Sequence, residues 1–483
     1  MRRPSLSALA VVIGLGLVIG IGVVLHVRGW SALVSEASGR CGSRSRECPQ
    51  GLSAVLLLAF ACTLVPCFAS VAFVSRFTKR ADVPWPRPVR RGGAIAAVAG
   101  LLAGIWPGVL VYDGLRGQFL EVRWSAPPDR PADVRMVGNW VHDDLVVRVR
   151  PDRLTAYTAR GIAWTTEVPG RNAVCAMSRD AVNGIGLVAW AVDGRPCATV
   201  VALDLRTGQP RWQRTRATAE PFAAEVTGGL AIAGDVVVFT EPTGVRAVGR
   251  ENDDRWSLDA GAGCRPVGAA ADTGQVTVVI GCADGSRHVV TVDPGTGRER
   301  WRAALPVEPP AETVLLAARP VVVYAAEYGS RGADVFLSFG DDGRVRARIP
   351  RSGEDYELPR GTDRNSGMAS PVVRDGRLLA PVGVPGDYRR TAVAAFSLET
   401  GARLWRTEVD DDVGAVEPTA GGLLVGSKDL RIRELSPSDG RVTASLPVRG
   451  TRYVSSMDIR KPDGGYAIVA VDGVAYPPVV MVG

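Results

Sequence analysis

Histidine is nearly missing from this chain: there are three in 483 residues, and only His142 and His288 lie beyond residue 112. A catalytic or metal-binding set built on imidazole therefore has few members to draw on. The G-x-S-x-G, H-E-x-x-H and P-loop signatures are absent too, so the patterned forms of serine hydrolysis, zinc proteolysis and nucleotide binding have no basis here. A basic face is also lacking. The net charge is +7, but residues 1–112 hold 12 Lys+Arg against 3 Asp+Glu, whereas residues 113–483 hold 45 against 47. The positive charge flanks apolar runs near the N-terminus, and nucleic acid is excluded as an expected partner.

Those apolar runs are what the sequence does have. Residues 7–27, 52–74 and 93–112 are each long enough for a helix to cross a hydrocarbon core of about 30 Å. The first run also admits a signal-peptide reading, with Arg2 and Arg3 before it and Ser35-Glu36-Ala37 after it. It is longer than the usual apolar region of such a peptide, which favours a retained helix. Gly16-x-x-x-Gly20 and Gly100-x-x-x-Gly104 offer close helix approach, and Pro66 and Pro107 predict local kinks. The division expected is a membrane region over 1–112 and a separate domain over 113–483. Arg2, Arg3 and the six basic residues of 76–91 lie on one side of three spans, and Arg28, Arg40, Arg44, Arg46, Arg116 and Arg123 on the other. That bias modestly favours a cytoplasmic N-terminus. The cysteines agree: Cys41, Cys48, Cys175, Cys197, Cys264 and Cys282 all fall on the opposite side, as expected of an oxidising compartment. The expected location is thus the bacterial plasma membrane, multi-pass, with the C-terminal domain extracytoplasmic.

The C-terminal part repeats. Residues 154–164, 200–212, 289–301 and 393–405 align as alternating apolar residues, a Gly turn and a Trp. Weaker copies occupy 245–256, 335–347 and 432–444. Most of the turns (Gly161, Gly208, Asp253, Gly297, Gly343, Gly401, Gly440) are 44–47 residues apart, and an insertion around 350–367 accounts for one longer interval. Alternation predicts half-buried strands, and glycine supplies the positive φ of a tight hairpin. Such a period suits one four-stranded propeller blade. Small residues before the turn (Ala202, Thr291, Ala395) are expected to leave room for a neighbouring ring. Residues 119–124 form a strand without a blade of its own, and 452–483 supply strands without a following Trp. Pairing the two would close the ring and remove its edges. The fold class expected is therefore an all-β propeller of eight blades, with seven the alternative, preceded by three transmembrane helices.

The motif Ala202-x-Asp204-x-x-Thr207-Gly208-x-x-x-Trp212 resembles the tryptophan-docking motif of PQQ-like (quinoprotein-type) β-propellers, and the resemblance covers most of 118–483. It implies blade docking by Trp124, Trp164, Gly208, Trp212, Trp256, Gly297, Trp301, Gly401 and Trp405. The motif is an inter-blade staple, and the family contains BamB-like assembly scaffolds as well as dehydrogenases. The dehydrogenases typically use an adjacent Cys-Cys pair, which this chain lacks. No cofactor is therefore expected; PQQ and calcium belong to the alternative of a quinoprotein oxidoreductase.

Cys264 and Cys282 flank a hairpin centred near Asp272-Thr273-Gly274, and Cys175 and Cys197 one centred near Asn183-Gly184. Opposed hairpin positions lie within disulfide reach, so both pairs are expected to be bonded. Cys41 and Cys48 are expected to staple the first outer loop. No histidine accompanies any pair at metal-ligand spacing. Most acidic clusters fall in turns, and Asp410–Asp412 with Glu417 is the one candidate for calcium. The expected function is a membrane-anchored, non-catalytic binding or scaffolding module for envelope proteins or cell-wall components. A sensor signalling through its helices is a further alternative.

Overall fold

The computed structural model describes residues 6–37, 48–78, 87–192, 195–217, 229–309, 311–328, 332–360, 370–409, 411–451, 456–472 and 477–483. The chain divides into two compact units, Met1–Glu121 with Leu446–Tyr453 and Val122–Ser445 with Val454–Gly483.

The first unit holds α1 (Leu6–Ala37), α2 (Leu52–Thr78), α3 (Arg87–Ala103) and α4 (Ile105–Arg116). Three stretches are long and apolar enough to cross a membrane: Ala10–Val34, Leu52–Ala69 and Gly92–Arg116. The third is interrupted at Gly104 between α3 and α4. Pro107 has no N–H to offer the carbonyl of residue 103, which loosens the helix one turn before it. Pro66 stays inside a continuous α2. Helix α1 runs ten residues past Val27, which puts His26 inside the apolar stretch Ala10–Val34. Its ring meets Phe60 edge-on at 4.9 Å and lies 3.4 Å from Thr63 Oγ1. The two small-residue motifs pack on each other. A Cβ at Gly16 would meet Ala97 O at 2.6 Å, and one at Gly104 would meet Gly20 Cα at 3.0 Å.

The strands, most of which lie in the second unit, form an eight-bladed propeller. Six blades are separate four-stranded antiparallel sheets, spanning residues 138–167, 172–215, 230–259, 264–304, 311–350 and 372–408. Blade 7 covers 413–449. Blade 8 takes its three inner strands from the C-terminus (Met457–Arg460, Tyr466–Ala470, Val479–Val482) and its outer strand, Leu120–Ser125, from before blade 1. That outer strand pairs antiparallel with Val479–Val482, so chain segments more than 350 residues apart share one sheet. Blades 7 and 8 read as one eight-stranded sheet because Leu120 and Glu121 also pair, in parallel, with Val448 and Arg449.

The core is divided into wedges between blades. Val147, Leu154 and Ala156 of blade 1 pack on Val188, Trp190 and Val201 of blade 2. Tyr324 and Phe336 of blade 5 pack on Leu378 and Phe396 of blade 6. The ring closes on Val146 and Tyr157 of blade 1 against Ala467, Val469 and Met481 of blade 8. The middle strands of each blade are buried on both faces, which is why they read as unbroken apolar runs such as Ile185–Val192. Outer strands alternate between exposed and half-buried residues.

Candidate functional site

The seven repeat copies are the outer hairpins of blades 1 to 7. In three of the strong copies and in the weaker copy 245–256 the indole ties its blade to the turn of the next. Trp164 Nε1 donates to Leu205 O (3.0 Å), Trp212 to Arg250 O (2.7 Å), Trp256 to Pro294 O (2.7 Å) and Trp405 to Pro437 O (3.1 Å). The acceptor is always three residues before the turn residue (Gly208, Asp253, Gly297, Gly440). The turn glycine lies flat on the ring: a Cβ at Gly297 would sit 2.6 Å from Trp256 Cγ, and one at Gly343 2.8 Å from Trp301 Cε3. Trp301 also stacks on Phe339 of blade 5, and Trp124 of blade 8 lies 6.0 Å from Tyr157 of blade 1.

Gly401 departs from the pattern. Blade 5 carries Ala347 where five of the copies carry Trp, and a Cβ at Gly401 would meet Arg348 backbone. The matching carbonyl, Leu398 O, instead accepts 2.7 Å from the buried hydroxyl of Ser338, which is paired across the hairpin with Ala347. Sequence reasoning missed this substitute, because a serine in a strand has no spacing signature. The small residues before the turn, Ala202, Thr291 and Ala395, each oppose the Trp of their own blade, where a small side chain leaves room for that ring.

Both propeller disulfides are present. Cys264 and Cys282 are directly opposed on the two inner strands of blade 4. Cys175–Cys197 is bonded too, but not as opposed hairpin residues. Cys197 lies beyond the second strand of blade 2, and Cys175 occupies a bulge in the first, so the bond spans the strand between them. The expectation failed on geometry because the midpoint rule assumes equal arms. Cys48 is disulfide-bonded, and Cys41, its expected partner, lies outside the described residues. His288 sits within the third strand of blade 4, with Nε2 3.5 Å from Ser286 Oγ. The calcium candidate does not converge. Asp412 pairs with Lys428 and Glu417 with Arg460, while Asp410 is outside the described residues. Among the described residues, no three His, Cys, Asp or Glu side chains are grouped to hold a metal.

Antiparallel blades put their connections on two faces. Turns joining strands one to two and three to four lie on one face; links joining strands two to three, and blade to blade, lie on the other. Among the described residues, 126–137, 351–360 and 383–391 belong to the second face. Long connections on a rigid scaffold are where recognition concentrates. This loop face is braced. Asp129 is shared by the buried Arg148 and Arg150, Arg150 also reaches Asp152 at 2.8 Å, and Arg148 Nε donates to Ala470 O across the ring closure. Arg351 holds Asp334 (2.5 Å) and Glu357 (2.6 Å), and Glu357 in turn accepts from Gly386 N at 3.2 Å. Arg390 N donates to Asp412 Oδ1 at 2.8 Å, which carries the network into blade 7. Burial works against the charged form of Glu357, but Arg351, the Gly386 amide and Arg390 outweigh it and hold its carboxyl below the usual glutamate range. From this braced face project Tyr388 (83% exposed), Tyr328 (70%) and Val384 (55%).

No protein-family model matches the chain, and no curated protein sequence matches it. Among solved structures it is similar to BamB from Moraxella catarrhalis, at 16% identity and a TM-score of 0.44, covering 75% of this chain and 97% of that one. It is similar to the computationally designed Ika8 protein at 15% identity and a TM-score of 0.46, covering 76% and 99%. It is similar to quinohemoprotein alcohol dehydrogenase from Comamonas testosteroni at 13% identity and a TM-score of 0.43, covering 76% of each. The propeller assignment rests on the sheet topology itself, with three apolar helices ahead of it.

Proposed function

We propose that this chain is a membrane-anchored binding or scaffolding module of the bacterial cell envelope, its propeller extracytoplasmic and its N-terminus cytoplasmic. The partner is an envelope protein engaged by the loop face, and the module performs no catalysis. One observation carries the reading: Tyr388 and Val384 project from connection 383–391, which Glu357 holds through the Gly386 amide and Arg390, and Tyr328 is exposed on the same face. Solvent-exposed tyrosine on a rigid loop gives contact area at small entropic cost, as protein interfaces require. The three apolar spans and two disulfides support the anchorage and the oxidising compartment.

The test places a photo-crosslinking amino acid at position 388 or 328 of the full chain in its native host. A reproducible protein adduct is expected at both, and none at position 404 on an outer strand. Adducts that are absent, or equal at all three, count against the reading. A quinoprotein oxidoreductase would instead show saturable PQQ and calcium binding with dye-linked turnover by the full chain, and that result would displace the proposal.

A further inference from the structure

The opposite, turn-bearing face carries a cavity of about 650 Å³, open to solvent. It lies where the first turns of blades 7 and 8 meet the end of the inner strand of blade 1. Such a volume is in the range that holds a small organic ligand. Its wall has two characters. Val141, Pro418, Pro462 and the ring of Tyr466 are apolar, and Gly421, Gly464 and Gly465 leave backbone open to close approach. The charged part of the wall is Glu417, Arg460, Lys461 and Asp463, with Arg460 and Lys461 each held by its own network, which Asn139, Asp458 and Glu434 complete from outside the lining. Arg460 is shared by Glu417, Asn139 Oδ1 and Asp458 (3.6 Å), and Asn139 Nδ2 donates to Asp458 at 2.7 Å. Lys461 pairs with Glu434, which also accepts from Tyr466 Oη at 2.9 Å.

The charge pattern restricts the ligand. Both cations of the wall are already committed to carboxylates, and Asp463 adds a further negative charge. A phosphate or carboxylate ligand would find no uncompensated positive charge. A purely apolar ligand would have to desolvate the Arg460 network with nothing to replace the water. What matches is a ligand with one C–H face for the prolines and for the side of the Tyr466 ring that the Lys461 ammonium, 5.3 Å from its centroid, leaves open, and several hydroxyls on its edge. Hydroxyls both donate and accept, so they join a network of paired Arg, Asn and carboxylate groups without disturbing its charge balance. We infer that this turn-face cavity is a binding site for a neutral saccharide, independent of the partner-binding loop face.

The experiment uses the full chain in lipid nanodiscs, which keeps glycosidic detergents out. Chitotriose, maltotriose, inorganic phosphate and a neutral tripeptide are titrated calorimetrically. Saturable binding of a trisaccharide is expected, with no heat from phosphate or peptide. Ala420→Trp fills the mouth from an exposed turn and is expected to abolish binding. Tyr466→Phe keeps the ring, and is expected to retain binding to within a few-fold, whereas Tyr466→Ala weakens it by about tenfold. Thermal unfolding of each variant confirms that the propeller is intact. No saccharide binding by the intact protein, binding of phosphate in its place, or equal saccharide binding by Ala420→Trp would each overturn the assignment.

Discussion

The turn glycines and indoles act as matched pairs, and each member has a separate cost of removal. Gly297 has φ +69°, and a Cβ there would press on Trp256 at 2.6 Å. Gly297→Ala combines backbone strain of about 1–2 kcal/mol with a clash the ring relieves only by leaving Pro294 O. A lower urea midpoint is expected, equivalent to about 2 kcal/mol or more. Ser338→Ala is a finer test. It removes the donor to Leu398 O at a site 1% exposed, leaving a buried carbonyl without that partner. The expected loss is about 1–3 kcal/mol, a large cost for a single hydroxyl. An unchanged midpoint would mean that blade 5 needs no staple where it lacks the tryptophan.

Between elements, two devices carry the argument. The Gly16/Gly20 and Gly100/Gly104 motifs let the backbones of α1 and α3 touch, and Gly100→Ile would drive a branched side chain into Ile13 backbone. Solubilised protein carrying it is expected to lose helix packing at a lower temperature, by several degrees, in a heating series followed by size exclusion. The second device is Glu357, which ties connection 351–371 to 383–391. Because Arg351 and the Gly386 amide hold its folded-state pKa down, its contribution is full above the ordinary glutamate range of about 4.3 and is lost as pH falls through the depressed value. Glu357→Gln is therefore expected to lower the urea midpoint at pH 7 and to flatten its fall below pH 4. These interactions differ in how far the sequence reveals them. The glycine motifs and the 45-residue period are local patterns, legible by spacing alone. The Glu357 bridge joins an insertion to a loop, and the cluster of Asn139, Glu417, Asp458 and Arg460 gathers residues from three blades that only ring closure brings together. No spacing rule reaches such sites.

For the whole molecule, topology and oxidation state constrain each other. Three spans place the residues after the third on the same side as the link between the first and second. All four propeller cysteines are bonded, and each bond closes a loop of about 20 residues, which gives roughly 3 kcal/mol in the chain-entropy account. Such bonds persist outside the cytoplasm and are rare within it. The orientation proposed above therefore has a direct consequence. In intact cells expressing the full chain with Cys62→Ala and Cys67→Ala, a membrane-impermeant maleimide is expected to label the propeller only after treatment with an external reductant. Replacing Cys264 and Cys282 by serine should remove part of that signal and lower stability by about 3 kcal/mol. If labelling appears only after the membrane is broken, the propeller faces the cytoplasm, and the envelope-binding role falls with it. If the propeller is labelled in intact cells without reductant, the disulfides are not closed in the cell, and their contribution of roughly 3 kcal/mol has to be withdrawn while the helices and the ring of eight blades stand.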